Sequence, residues 1–286
     1  MTGLLGFLEG RRRKVETPLR AELLSIERLE ERAKALAASF TLARNPRRKA
    51  RPFFSRLEDN ARALREAYRV FSDDVHRGSF IPSAAEWLLD NFHLIESEIR
   101  DTRHDLPRAY YLQLPKLASR EMAGIARVYA MALELIRHTD GRLERQQLVR
   151  FVTAYQTVAP LTIGELWAWP TMLKLALIES LRRLTDEALQ GRDARLTADA
   201  YLAQIGSASL PALLETAYVV RLLQRMREYG PLVSPVRAAV EERLAAQGMT
   251  AEDAIRTEYQ TQAAAQVSAG NAITSLRLCA LSLIHI

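Results

Sequence analysis

Residues Pro160 to Arg183 read PLTIGELWAWPTMLKLALIESLRR. Thr162-Ile163-Gly164-Glu165 is a capping box: the Thr hydroxyl and the Glu carboxylate each satisfy one backbone amide that an opening helix leaves exposed. Leu166 to Ile178 then runs almost wholly apolar on all sides. It is shorter than the roughly 20 residues a membrane-spanning helix needs, and it contains Lys174. A helix of that kind belongs inside a protein core, and the rest of the chain must supply the elements that cover it.

Working outward, the same signals recur. The spacing of apolar residues and the caps predict helices over about 18–40, opened by Thr17-Pro18, and 56–75, opened by the box Ser55-Arg56-Leu57-Glu58. Pro82-Ser83-Ala84-Ala85-Glu86 opens another to about 103. Further helices are expected over 120–138, 143–158, 163–190, 197–206, 210–229, 235–247 and 250–268, with Pro170 kinking or restarting the one over 163–190 and Gly230 and Gly248 as stops. Leu106-Pro107 and Leu114-Pro115 make 105–118 an ordered connector rich in aromatics, because the residue before a proline is pushed from helical angles. No alternation of strand type and no fixed-period repeat occurs. The expected class is all-α, either a multi-helix orthogonal bundle or a short solenoid-like array. Trp87, Phe92, Tyr129, Phe151, Tyr155, Trp167, Leu175 and Leu181 are the expected core.

The 286 residues are 48% hydrophobic and 26% charged, enough to bury one large core or two smaller ones. Residues 1–52 read as a basic helix and linker, 53–190 as a helical domain, 191–280 as a second helical subdomain, with a polar turn at 190–197 between the last two. Residues 281–286 (LSLIHI) match one reading frame of a transposase library adapter, so they are expected to be an artefactual tail on a truncated gene. A single cysteine demands no oxidising compartment, and no export signal precedes the basic residues near the start, which suggests the cytoplasm.

The net charge of +6 is uneven: residues 1–69 hold 17 Lys and Arg against 9 Asp and Glu, leaving 23 against 25 for the remainder. The densest run, Arg44 to Arg56, places Arg47, Arg48, Lys49 and Arg51 together, either as an anionic-surface contact with anionic lipid as a partner or as a solvated, poorly ordered basic linker. Nucleic acid ranks last, since no recognition motif accompanies the run.

No complete catalytic motif is present. The five histidines lie far apart without zinc-ligand spacing, and no phosphate loop or nucleophile elbow occurs. Carboxylates and tryptophans remain. Glu86, Asp90, Asp140, Glu165 and Glu179 are the acids sugar chemistry would need. Glu86 and Glu165 are also explained as caps, and His138-Thr139-Asp140 as a helix end. Trp87, Asp90, Asp140, Glu165 and Trp167 form the candidate carbohydrate-binding set; no catalytic residue and no metal ligand is assigned.

Several separated strings carry a resemblance. They are WLLDNFHLI (Trp87–Ile95), DLPRAYYLQLPKL (Asp105–Leu117), Arg127-Val128-Tyr129, His138-Thr139-Asp140, RFVTAY (Arg150–Tyr155), PLTIGELWA (Pro160–Ala168), ESLRR (Glu179–Arg183) and NAITSLR (Asn271–Arg277). Together, from about residue 51 to 278, they resemble the N-terminal region of cyclic β-1,2-glucan synthases. That resemblance implies a large bacterial inner-membrane protein that polymerises glucose from UDP-glucose and closes the chain into a ring. It implies that the glycosyltransferase and the phosphorylase-like part lie beyond residue 286, and that UDP-glucose and a divalent metal serve those parts alone. The stretch in hand is then a non-catalytic module on the cytoplasmic face, with those membrane and catalytic domains as partners. The second reading is a glycan-binding or glycan-processing helical domain built on the carboxylates and tryptophans above.

Overall fold

The computed structural model describes residues 21–44, 53–118, 122–204, 209–229 and 233–282. Among them are eleven α-helices and no strand, so the protein is all-α. In chain order they are α1 (Ile26–Ser39), α2 (Phe53–His76), α3 (Ser83–Asp90), α4 (Phe92–Asp105), α5 (Arg108–Gln113), α6 (Arg127–Thr139), α7 (Arg145–Gln156), α8 (Ile163–Ala203), α9 (Thr216–Tyr229), α10 (Ser234–Ala246) and α11 (Ala251–Ser282). Two isolated bridges, Leu42 with Leu117 and Lys116 with Ala126, tie the segment after α1 to the loop before α6.

Helix α8 is the axis. Its Thr162 hydroxyl accepts from the Glu165 amide while the Glu165 carboxylate accepts from the Thr162 amide, so the capping box forms as read. From Ala168 to Leu181 nearly every side chain is buried, which an apolar-all-round segment requires. Helices α2, α3, α4, α6, α9 and α11 all pack against it, while α1 packs on α7 and α6. One apolar cluster runs from Leu29 to Leu181 and takes in Ala272, Ile273, Leu276 and Cys279 of α11. A second joins Ala198 and Leu202 of α8 to α9, α10 and Ala254.

Several expected boundaries move. Helix α1 begins at Ile26 under the Ser25 cap, residues 21–25 being non-helical, and Thr17-Pro18 lies outside the described residues. Ser55 and Glu58 lie inside α2, where Glu58 pairs with Arg103 rather than capping. No side chain caps α3; the Pro82 carbonyl accepts from Ala85 and Glu86 instead. The expected helix to 103 breaks at Asn91, whose amide nitrogen donates to the Trp87 carbonyl (3.0 Å) and whose oxygen accepts from Arg277 of α11. Pro107 and Pro115 do end helices, and between them the connector winds into short α5. Helix α8 is continuous through Pro170 and through 190–197, where a turn was expected. Helix α11 likewise runs on past 268. Of the expected tail 281–286, Leu281 and Ser282 end α11 and residues 283–286 lie outside the described ones.

One residue of the expected core, Trp167, lies outside it. Tyr129, Phe151, Tyr155, Leu175 and Leu181 are buried and Trp87 and Phe92 half-buried, but Trp167 is 77% exposed. Trp169 takes the inner position at 4% exposure, its ring stacked on Phe151 with centroids 6.4 Å apart. Residues two apart on a helix point to nearly opposite sides, so only one of this pair can face the core.

Candidate functional site

The charged residues inside the core are held by specific partners. Glu165, fully buried, takes the Arg127 guanidinium at 2.8 Å through Nε and 2.5 Å through Nη2, and Arg127 also donates to the Pro160 carbonyl at 3.1 Å. Because the same carboxylate closes the cap of α8, one residue joins the α8 start to the α6 start. Deeper along α8, Glu179 accepts from Arg56 Nε and Nη2 (2.6 Å each), from the Tyr129 hydroxyl (2.5 Å) and from Arg183 (2.8 Å). Burial pushes the Glu179 carboxyl up, but the Arg56 bonds and charge, the Tyr129 hydroxyl and Arg183 outweigh this and hold it down to about 2. Lys174 meets Glu98 of α4 at 2.8 Å. Beside this pair burial pushes the Cys279 thiol up to about 12, which keeps it protonated and inert.

Such pairs are costly to break, since losing one partner strands a charge in a poor solvent for it. They lock α2, α4, α6 and α8 together. Glu179, held ionised in this way, does not trade protons with a substrate as general acid–base chemistry requires.

Of the candidate carbohydrate set, Glu165 is sealed in this way. Asp140 ends α6 in the left-handed conformation (φ 50°, ψ 38°), its carboxylate accepting from Ser268 at 2.5 Å and its carbonyl from Asn271 at 3.3 Å. Trp87 packs against Gly270 of the same helix, α11. Asp90 is exposed at the end of α3, and Trp167 is exposed near the start of α8. None of the five lines the clefts below. Glu86 is exposed on α3. Arg47, Arg48, Lys49 and Arg51 lie outside the described residues.

Two polar clefts open on the surface. One, of about 540 Å³, lies among the turn after α2, the second half of α8, α9 and α11, and is lined by Phe80, Arg195 and Tyr259 among others. The other, of about 700 Å³, runs between α2 and α4 and is lined by Arg62, Arg65, Arg69, Arg100 and Arg103 with Glu58 and Glu66. Sequence reasoning passed over both. The available signal was a tyrosine in an otherwise polar run, Thr257 to Gln262 (TEYQTQ), and a phenylalanine just after Gly78-Ser79. The arginines of α2 and α4 are spread over two helices, and only packing makes them neighbours.

Among the described residues no helix is long and apolar enough to cross a membrane, and no three His, Cys, Asp or Glu cluster as a metal site would need. No protein-family model matches the chain. Over 237 residues it is 34% identical to the cyclic beta-(1,2)-glucan synthase NdvB of Rhizobium meliloti (strain 1021), a match that takes in 79% of this chain. The chain spans 8% of the length of that relative. This chain is therefore homologous to one short part of a cyclic β-(1,2)-glucan synthase, the family its own residue strings resemble.

Proposed function

We propose that the chain is a non-catalytic helical module of a cyclic β-(1,2)-glucan synthase-like glycosyltransferase, scaffolding or regulating a membrane-embedded catalytic part. The observation that carries this reading is the fate of the core carboxylates. In a chain homologous to a glucan synthase, Glu165 and Glu179 are consumed by arginines that cross-link helices, an arrangement suited to rigidity rather than to turnover. In this reading UDP-glucose and its divalent metal bind other parts of the whole protein, and those parts are the module's partners. The five-arginine groove on α2 and α4 supports a position beside anionic headgroups at the cytoplasmic face of the inner membrane.

The test is deletion of the segment equivalent to residues 53–280 from a cyclic β-(1,2)-glucan synthase. Loss of glucan output, or of stable membrane assembly, is the expected result. Unchanged output and unchanged assembly would remove the proposal.

A further inference from the structure

The cleft among α2, α8, α9 and α11 has a chemistry that the buried ion pairs lack. Its turn is built by Gly78, which takes φ +66° with open space around it, and by the Ser79 amide donating to the Asp74 carbonyl at 2.9 Å. This brings Phe80 across to α8, where its ring rests on the Arg195 guanidinium with 5.0 Å between them. Phe80 is nonetheless 57% exposed, and Tyr259 of α11, lining the same cleft, is 63% exposed. Both rings therefore offer apolar surface to an occupant at the rim of a concave site.

The charges point to the kind of occupant. Three arginines in the lining face three carboxylates, so the wall has no net formal charge. They are also already matched: Arg192 with Asp74 through two bonds, Arg221 with Asp199 at 2.9–3.1 Å, and Arg195 with Glu258 at 3.8 Å. A phosphate or a carboxylate would have to compete with these partners, and it would meet no surplus of positive charge. A glycosidase would need an acid and a base or nucleophile free to act, and here each carboxylate already has a cation beside it. What is left over is neutral hydrogen-bonding capacity. Gln224 and the Tyr259 hydroxyl bond to nothing among the described residues.

We infer that this cleft binds a neutral oligosaccharide, its pyranose faces laid on Phe80 and Tyr259 and its hydroxyls bonded by Gln224. The negative face of an aromatic ring suits the C–H face of a sugar, while a planar amide, both donor and acceptor, suits its hydroxyls. The cleft volume falls in the ordinary ligand range of about 300–1,000 Å³. Binding without cleavage follows from the pairing of the carboxylates. The inference stands apart from the scaffold reading, because a cleft of this lining would hold sugar whether or not the rest of the chain braces a synthase.

The experiment titrates the full 286-residue chain with linear and cyclic β-1,2-gluco-oligosaccharides, with malto-oligosaccharides, and separately with inorganic phosphate and UDP. Heat of binding and aromatic chemical shifts are followed. Saccharide should bind with Phe80 and Tyr259 signals moving, and phosphate and UDP should not displace it. Phe80→Ala and Tyr259→Ala should each weaken binding about tenfold, and Tyr259→Phe should keep most of the affinity. Three results would overturn the inference: no saccharide binding, binding that leaves the Phe80 and Tyr259 signals still, or occupancy by phosphate or UDP in place of sugar. If an alanine variant loses its fold, the aromatic shifts of the unaltered chain decide alone.

Discussion

The Trp87 indole closes directly on Gly270 of α11: its Cζ2 lies 3.3 Å from where a β-carbon on that glycine would stand. Glycine inside a helix costs roughly 0.5–1 kcal/mol relative to alanine, so this contact is bought with helix propensity. Gly191, inside α8, offers the contrast, since a β-carbon there would meet nothing closer than the flexible Arg195 guanidinium at 3.5 Å. Gly191→Ala should therefore stabilise the chain by about 0.5–1 kcal/mol. Gly270→Ala should give no gain, or a loss of about 1 kcal/mol, as the rigid indole is pushed from Ala84, Ala265 and Ala269. Equal effects in denaturant unfolding would show that Trp87 yields freely.

The two neighbouring tryptophans of α8 should separate cleanly. Trp169→Ala removes a buried ring stacked on Phe151 and should cost about 3–5 kcal/mol. Trp167→Ala, on the exposed side, should change stability by about 0.5 kcal/mol or less. A large loss from Trp167→Ala in the same unfolding measurement would put its ring against the core.

Glu179 makes stability fall in acid. Its carboxyl is held at about 2 against an ordinary 4.5, so the native state binds the proton less well than the unfolded chain. The stabilisation is complete above pH 4.5 and is lost as pH falls through about 2, amounting to roughly 3 kcal/mol. Unfolding free energies of the unaltered chain and of Glu179→Gln should converge by about that much across the window; parallel curves would count against the pairing. Lys116 acts in the opposite range. Burial holds its ammonium down to about 8 against 10.5, partly opposed by Glu165, while it donates to the Tyr111 and Leu114 carbonyls. Its destabilising share is full below pH 8 and is relieved as pH rises toward 10.5, and Lys116→Met should flatten that rise.

The arginine groove yields a salt-dependent prediction. The chain should sediment with phosphatidylethanolamine–phosphatidylglycerol vesicles at low salt and be released as salt rises, since each arginine near an anionic surface contributes about 1 kcal/mol. Replacing Arg62, Arg69 and Arg100 with serine should weaken this. Those three face solvent at least in part, so the fold should survive. Equal binding of the triple variant, or equal binding to neutral vesicles, would rule the groove out as the contact.

Local chemistry along the chain was enough for the helical class and for several ends. The Thr162–Glu165 cap, the matching cap of Thr250 on Asp253, the left-handed Gly248 after α10 and the Asp140 stop of α6 all act within four residues, so a reader of the sequence can find them. The family strings were legible in the same way, and the match to a glucan synthase bears them out. Tertiary structure decided what local signals left open. The stretch around Gly191 looked like a turn, yet α8 runs straight through it, because Arg192 binds Asp74 of α2 and Arg221 of α9 binds Asp199, offsetting a glycine cost of about 1 kcal/mol. Glu165 read as a cap and proved also to be half of a buried ion pair whose other half lies 38 positions away. Which of Trp167 and Trp169 is covered, and which acids meet arginines, depends on the helices that fold over α8. The cleft of Phe80, Arg195 and Tyr259 has the same origin: its walls come from four elements far apart in the chain, and burial and charge pairing are properties of their assembly rather than of any one segment.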